Sequence, residues 1–580
     1  LLVAIAYTFG RFGVRGGVAV SWVGTVLIFA PIAVRLLLLR SHLGRYEPAG
    51  LAVLVAVTSF LTKLCFSPLS FSFPDELQHW RSTADVLRTH HLFTANPALP
   101  ISPHYPGLEI ATSAISSVTG LGIFGAGVVV TAAAHLILAT ALYCLFARLS
   151  GSARVAALAV LAYSTNAHFA SFDAMFLYQA LGLTFLALTL LAVVGALRSR
   201  RPAGWITLAA LGMAATAITH HVTSYLLVLA LLISLLVLAF RHGSRPRRQL
   251  LIVGGLVAGG VAVIAAWIAG AAPQTVDYLH GPVTGIFDSV KKLLIGTSAT
   301  QQAAEQVPPA GDRLFSTAAA LLVAVILPVA LLSLRRRART TDRRLSSGTL
   351  ALLLVSLGYY VVLAIRIGVT DGQELAGRLM SFEFIPVAYV LAMFAVVVER
   401  RRVRGAVWDA AALATGGVLS IGAVTGGWPP WWERLPGPYL AAGFERSVDA
   451  QALAASSWAA AALGPNQRFG SDAGSAPVLA SYGRQDVVRD IAPLFTASEP
   501  TAAVLALVKD SAVRYVMVDR RLANMLPASG AYFPVDPNAN RYRTPLKFSS
   551  LDKFDDSGAS RLYDSGAVVI YDLQGSDYAP

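Results

Sequence analysis

The chain has 580 residues, of which 55% are hydrophobic and only 13% charged, with a formal net charge of +14 and a mean hydropathy of +0.61. A soluble domain carries about a quarter charged residues, so this composition excludes an ordinary soluble protein and requires most of the chain to sit in lipid. The basic excess falls in short arginine clusters between apolar runs, the mark of cytoplasmic loops and not of a nucleic-acid surface, and the two cysteines, Cys65 and Cys144, offer neither a disulfide framework nor a metal spacing.

The chain opens inside an apolar run, LLVAIAYTFG, without an initiator Met or a charged leader, and a trimmed amino terminus is expected. Apolar spans are predicted at 1–10, 18–39, 49–66, 107–147, 153–171, 177–197, 203–219, 222–240, 250–272, 314–334, 348–368, 379–398 and 406–425. The run 107–147 is longer than one crossing of a hydrocarbon core of roughly 30 Å needs. Clusters such as Arg148 with Arg154, Arg198 with Arg200 and Arg201, and Arg247 with Arg248 fall on one side if each span crosses once. That side is cytoplasmic by the positive-inside rule; Arg11 and Arg15 are the exception.

The opposite side receives a long first loop, 67–106, a turn near 172–176, the 219–222 hairpin, the 273–313 and 369–378 loops, and everything after Thr425. Most acids of the membrane region lie there, among them Asp75, Glu76, Asp85, Asp173, Asp277, Asp312, Asp371 and Glu374. Insertion does not explain that bias, because Asp and Glu contribute little to topology, so chemistry on the outer face is favoured. From Gly426 a Trp- and Pro-rich connector, GGWPPWWERLPGPY, leads into a segment of soluble character in which helical periodicity alternates with short apolar strands. The fold expected is a polytopic α-helical membrane protein with about 12–13 transmembrane helices over 1–425 and an extracytoplasmic α/β domain over 426–580.

In the first loop, Ser72-Phe73-Pro74-Asp75 reads as a capping box that opens an amphipathic helix, DELQHWRSTADVLRTH. Leu77, Trp80, Ala84 and Leu87 share one face and Asp75, His79 and Ser82 another, a pattern suited to lying along the membrane surface. An acid at the mouth of a span, where water is restricted, suits a general base; its plain alternative is the cap itself. Pro74-Asp75-Glu76 here, and His104-Tyr105-Pro106-Gly107 before the next span, resemble the GT-C superfamily of multi-span glycosyltransferases that take sugars from polyprenyl-phosphate carriers. The resemblance implies an inverting glycosyltransferase with Asp75 as the catalytic base and Glu76 as the fallback. His79, His104 and Tyr105 are expected at the substrate, and the acceptor is a glycan, a lipid or a protein. The Trp-Trp-Asp signature of oligosaccharyltransferases is absent, since Trp431-Trp432-Glu433 lies in the connector, which argues against protein N-glycosylation. Relatives of that type use a divalent cation, but no paired-acid spacing here assigns one.

Three further stretches carry polar chemistry at the outer face. The hairpin Thr219-His220-His221-Val222-Thr223-Ser224-Tyr225 offers imidazoles and hydroxyls to a phosphate or a sugar, or simply satisfies its own turn. Arg378, at the outer end of a span, runs against the positive-inside trend; a guanidinium suits phosphate oxygens, and an ion pair with Asp371 or Glu374 is the plainer reading. Asp173 follows Asn166 and His168 in the second outer turn and is a candidate for the acceptor or a cation, whereas Lys291 and Lys292 read as headgroup contacts. A transporter or flippase for a lipid-linked glycan would place its polar groups along a path through the spans, and a membrane scaffold would leave the outer acids without work.

Overall fold

The computed structural model describes residues 1–38, 43–240, 247–278, 307–340, 346–368, 372–400 and 406–579. Asp371, Lys291 and Lys292 lie outside these residues, as does the side chain of Glu374. Helices α1 (Leu2–Arg11), α2 (Gly17–Leu37) and α3 (Glu47–Phe66) lead to α4 (Pro74–Thr89), the helix of the first long loop. There follow α5 (Gly107–Thr119), α6 (Ile123–Ser150), α7 (Ala153–Tyr163), α8 (Tyr178–Arg198), α9 (Ala203–Thr219), α10 (His221–Phe240) and α11 (Arg247–Gly270). The bundle closes with α12 (Ala310–Thr340), α13 (Ser347–Val355), α14 (Gly358–Gly368), α15 (Gly372–Arg400) and α16 (Ala406–Thr425). Among the described residues, nine segments are long and apolar enough to cross a membrane, and α1, α7, α9 and most of α16 are shorter apolar helices. The chain is an integral membrane protein.

The long run 107–147 resolves into two helices because Gly120 adopts φ 73, a left-handed conformation that ends α5 and that a side chain would resist. The run expected at 153–171 stops at Tyr163, and the polar stretch after it folds into turns within the bundle. Short as it is, α7 is buried along most of its length between α2, α3, α6 and α15. Its Tyr163 hydroxyl donates to the Ser381 carbonyl at 2.9 Å. At the arginine-rich end, guanidinium groups cap helix C-termini: Arg154 Nε donates to the Leu36 carbonyl at 2.6 Å, and Arg198 reaches the Arg148 carbonyl.

At the opposite end a small α/β unit follows a connector that buries Glu433 and Arg434 and leaves its tryptophans partly buried. Its strands are β1 (Arg468–Gly470), β2 (Asp486–Val488), β3 (Tyr515–Asp519), β4 (Ser560–Asp564) and β5 (Val568–Asp572), in the order β2-β1-β3-β5-β4. The first three pair in parallel and the last two join antiparallel. The central β3 is buried throughout, as its unbroken apolar sequence requires. Helix α17 (Ala450–Leu463) packs on β5, and α18 (Ala476–Ser481) meets α4.

That last contact shows what covers the polar face of α4. The polar face is the buried one. Arg81, 2% exposed, donates through Nη1 to the carbonyls of Ala480 at 2.7 Å and Gln485 at 3.3 Å. Arg484 pairs with Asp85 at 3.1 Å, and Trp80 stacks on Tyr482 with ring centroids 4.1 Å apart. Amphipathicity alone does not say whether lipid, water or protein covers the polar side. Here the C-terminal unit covers it.

Candidate active site

Asp75 and Glu76 sit side by side in the first turn of α4 and face different partners. Asp75 Oδ2 accepts a hydrogen bond from Arg378 Nη2 at 3.1 Å, from a residue on α15. Both side chains remain partly open, at 28% and 30% exposure. The Arg378 guanidinium also lies 5.3 Å from the centroid of the Phe172 ring, which fixes its plane. Glu76 is buried: Oε1 accepts from the Phe176 amide at 2.9 Å, and Oε2 takes the Phe73 amide and Lys63 Nζ, each at 3.3 Å. Phe73 is the N-cap, with no side-chain cap of its own. The capping expected of the Ser72–Asp75 box is therefore performed by Glu76, three positions into the motif, which leaves Asp75 to Arg378.

One turn beyond Asp75 on the same helix, His79 is fully buried, and its Nδ1 lies 2.7 Å from Glu109 Oε1 in the first turn of α5. Among the described residues, His79 Nε2 and Glu109 Oε2 have no hydrogen-bond partner. The imidazole begins a string of rings: His79 to Tyr178 at 4.7 Å, Tyr178 to His220 at 4.4 Å, His220 to His221 at 5.1 Å and His221 to Tyr105 at 5.0 Å between centroids. His220 Nδ1 sits 2.6 Å from the Thr223 hydroxyl, and the Tyr105 hydroxyl sits 2.9 Å from that of Thr275. Burial, with His221, Arg378 and His79 adding positive potential, holds His220 well below the ordinary imidazole range. It is therefore a neutral hydrogen-bonding group at pH 7.

The His104–Gly107 run is what brings these groups together. A Cβ on Gly107 would lie 2.1 Å from Thr219 Oγ1, so only glycine lets the start of α5 reach the end of α9 beside the histidine hairpin. His104 itself stands at the rim: its Nδ1 is 2.7 Å from the Ala271 carbonyl oxygen, and its own carbonyl accepts from Trp267 Nε1 at 3.0 Å.

Asp173 lies in the turn between α7 and α8 and accepts from the Ser381 hydroxyl at 2.8 Å. Ser381 follows Arg378 by three positions on α15, so this bond supports the helix that presents the guanidinium. Burial raises the Asp173 carboxyl to about 7 against the opposing bonds from Ser381 and Asn166. The neighbouring His168 is pushed down to about 3, first by burial and then by Arg378 and Arg366.

The structure thus joins Asp75 directly to Arg378. It gathers His79, Tyr105, His220 and His221 into one buried string, sets Asp173 under α15, and leaves His104 at the edge. Glu109, Tyr178 and Lys63 carry contacts that no sequence motif assigned to them. Glu109 alone had a signal, as an acid two residues past the Tyr105-Pro106-Gly107 turn. Among the described residues no group of three His, Cys, Asp or Glu side chains is placed to hold a metal ion.

Residues 104–269 match a family model described as dolichyl-phosphate-mannose-protein mannosyltransferase. The match begins at His104 and includes Glu109, Asp173, Tyr178 and the His220–His221 hairpin, while Asp75 and Arg378 lie outside it. No curated protein sequence matches the chain. Solved structures of similar layout include the apo oligosaccharyltransferase of Archaeoglobus fulgidus, at 13% identity and TM-score 0.49 over 96% of this chain and 75% of that one. The same enzyme in complex with Zn and sulfate has a TM-score of 0.48 at 13% identity, over 94% of this chain and 73% of that one. ArnT from Cupriavidus metallidurans bound to undecaprenyl phosphate has a TM-score of 0.49 at 13% identity, over 93% of this chain and 100% of that one. Over residues 104–269, which take in the His104–Gly107 motif, the chain is thus similar to a family of polyprenyl-phosphate-dependent glycosyltransferases.

Proposed function

We propose that the chain transfers a sugar from a polyprenyl-phosphate-linked donor to an acceptor hydroxyl on the outer face of the cytoplasmic membrane, with inversion at the anomeric carbon. Asp75 is the base. Its carboxylate takes the acceptor proton as the acceptor oxygen attacks the anomeric carbon, and the bond from that carbon to the phosphate oxygen breaks with its electron pair on the phosphate. The polyprenyl phosphate leaves as an anion held by Arg378, so the step needs no strong general acid. His79, Tyr105, His220 and His221 border the sugar, where imidazole nitrogens and hydroxyls offer hydrogen bonds to its hydroxyls. His104 sits at the rim, Asp173 supports Arg378 through Ser381, and Glu76 fixes the start of the helix that carries the base.

The observation that carries this reading is the Asp75–Arg378 contact of 3.1 Å between residues on α4 and α15. It sets a carboxylate beside a cation at one partly open point on the edge of a buried polar string. The two-domain division at residues 425 and 426 belongs to the same proposal, with the C-terminal unit outside the membrane, bound to α4 and covering the acceptor side. The acceptor is a glycan, a lipid or a protein.

The test is transfer of labelled sugar from a polyprenyl phosphate in proteoliposomes. Asp75→Asn is expected to abolish it while the protein stays monodisperse and folded. Transfer that survives this substitution overturns the assignment of the base. Failure of the unsubstituted protein to consume the donor with any acceptor would favour transport of a lipid-linked glycan.

A further inference from the structure

Away from the site, α9 and α11 leave a groove between them on the bundle surface, with a volume of about 830 Å³. Its walls are apolar side chains such as Ile206, Met213 and Leu256, and its mouth at the arginine-rich end is framed by Arg247 and Arg248. Among the described residues no carboxylate lines it. Arg248 is pinned across the mouth, with Nη2 donating to the carbonyls of Ser199 at 2.9 Å and Arg200 at 3.2 Å. The floor is formed by Gly255 and Gly259, one turn apart on α11, and a Cβ on either would meet nothing within 4 Å.

Three observations limit the occupant. The first is charge: Arg198, Arg200 and Arg201 lie beside the mouth in sequence, so an anionic head is favoured at that end. Length is the second. From Arg248 to Val263 the lining of α11 spans about 22 Å at 1.5 Å per residue. One leaflet, half of a roughly 30 Å core plus its headgroup layer, is about 20–22 Å deep. The third is packing: only 17% of the α11 span is buried by protein, against 61% for α8. Among the described residues no side chain fills the space beside it, and acyl chains would supply the dispersion contacts that an open void forfeits.

We propose that this groove is a binding site for one anionic phospholipid of the cytoplasmic leaflet. Its acyl chains lie over Gly255 and Gly259 and its phosphate meets Arg247 and Arg248, so that the lipid staples α11 to α9. The site is distinct from the Asp75–Arg378 end of the molecule and does not depend on the chemistry proposed there.

The full-length protein, purified in mild detergent, would be loaded with phosphatidylglycerol or phosphatidylcholine and the retained lipid counted by native mass spectrometry. One phosphatidylglycerol per chain is expected to survive washing in preference to phosphatidylcholine. Arg247→Gln should weaken its retention about fivefold, the worth of one basic residue at an anionic headgroup. Gly259→Leu, which fills open space and favours the helix, should abolish it, whereas Asp75→Asn should leave it unchanged. Equal retention of both lipids, or retention unaffected by Gly259→Leu and by Arg247→Gln, overturns the proposal. Displacement of the phospholipid by a polyprenyl phosphate at equimolar concentration would overturn it in favour of the donor's tail.

Discussion

Two neighbouring acids, Asp75 and Glu76, divide the work of one helix turn. Asp75 pairs with Arg378 where both side chains are partly exposed, and such a pair is worth about 1 kcal/mol or less. Asp75→Asn should therefore leave the unfolding midpoint nearly unchanged, while transfer falls by about two to four orders of magnitude if the residue is the base. Glu76 is the opposite case. Its partner Lys63 is 9% exposed and Glu76 itself 2%, so Glu76→Gln strands a buried cation and should cost about 3–5 kcal/mol. Thermal unfolding in detergent separates the two substitutions; equal midpoints would remove the division of labour. Asp173 adds a pH dependence. Burial raises its folded carboxyl to about 7 from an ordinary value of 3.8, so the folded state holds the proton that the unfolded chain releases. Its contribution to stability is complete at low pH and declines as pH rises from about 4 to about 7. Asp173→Asn should flatten that decline, measured as unfolding midpoint against pH. Sequence reasoning could mark Asp75, Glu76 and Asp173 as acids at a membrane edge. Which of them was capped, paired or buried depended on Lys63, Phe176, Ser381 and Arg378, up to some three hundred residues away in the chain.

At the scale of elements, α4 holds the arrangement together. Its C-terminal half is clasped by the α/β unit through Arg81, Asp85 and Trp80, and its N-terminal half meets the bundle through Glu76 and Asp75. A movement of the C-terminal unit would consequently be felt at the candidate base. Arg81→Met removes a buried guanidinium from the Ala480 and Gln485 carbonyls and should cost about 1–3 kcal/mol through the acceptors left unpaired. Limited proteolysis is the readout: faster cleavage within the 426–447 connector is expected, and a wild-type pattern would mean that the clasp holds without Arg81. The helix itself was legible, since Pro74, the acids of its first turn and the 3.6-residue period all announce it. What its polar face touches was not, because Arg81 and Asp85 look alike whether they meet water or a partner surface.

For the whole molecule, arginine placement orders the helices. Arg154, Arg198 and Arg248 all serve carbonyl groups at one end. Arg11, which with Arg15 is the exception to the positive-inside count, has a local reason for its place: Nη2 donates to the Cys65 and Phe66 carbonyls at 2.6 and 3.0 Å, capping α3 at the end opposite those arginines. A cation that completes a helix terminus is held by the negative end of the dipole, whichever side it falls on. The connector is tied down by side-chain bonds: Arg434 Nη2 donates to Asp312 Oδ2 at 3.1 Å, and Trp428 Nε1 donates to Glu445 at 2.6 Å. These bonds fix the C-terminal unit against the bundle.

Composition and the spacing of apolar runs by themselves determined that this chain is a helical membrane protein with a separate α/β tail, because transfer into lipid is decided residue by residue over about twenty positions. The Pro74–Glu76 and His104–Gly107 motifs marked the first long outer loop as the chemically distinctive one. The tertiary structure alone decided that Asp75 meets Arg378 while Glu76 is occupied, that five rings from four separate stretches form one string, and that α4 lies under protein. Those outcomes rest on contacts between residues far apart in the chain, and hydropathy and local propensity carry no information about which distant partner a polar group will find.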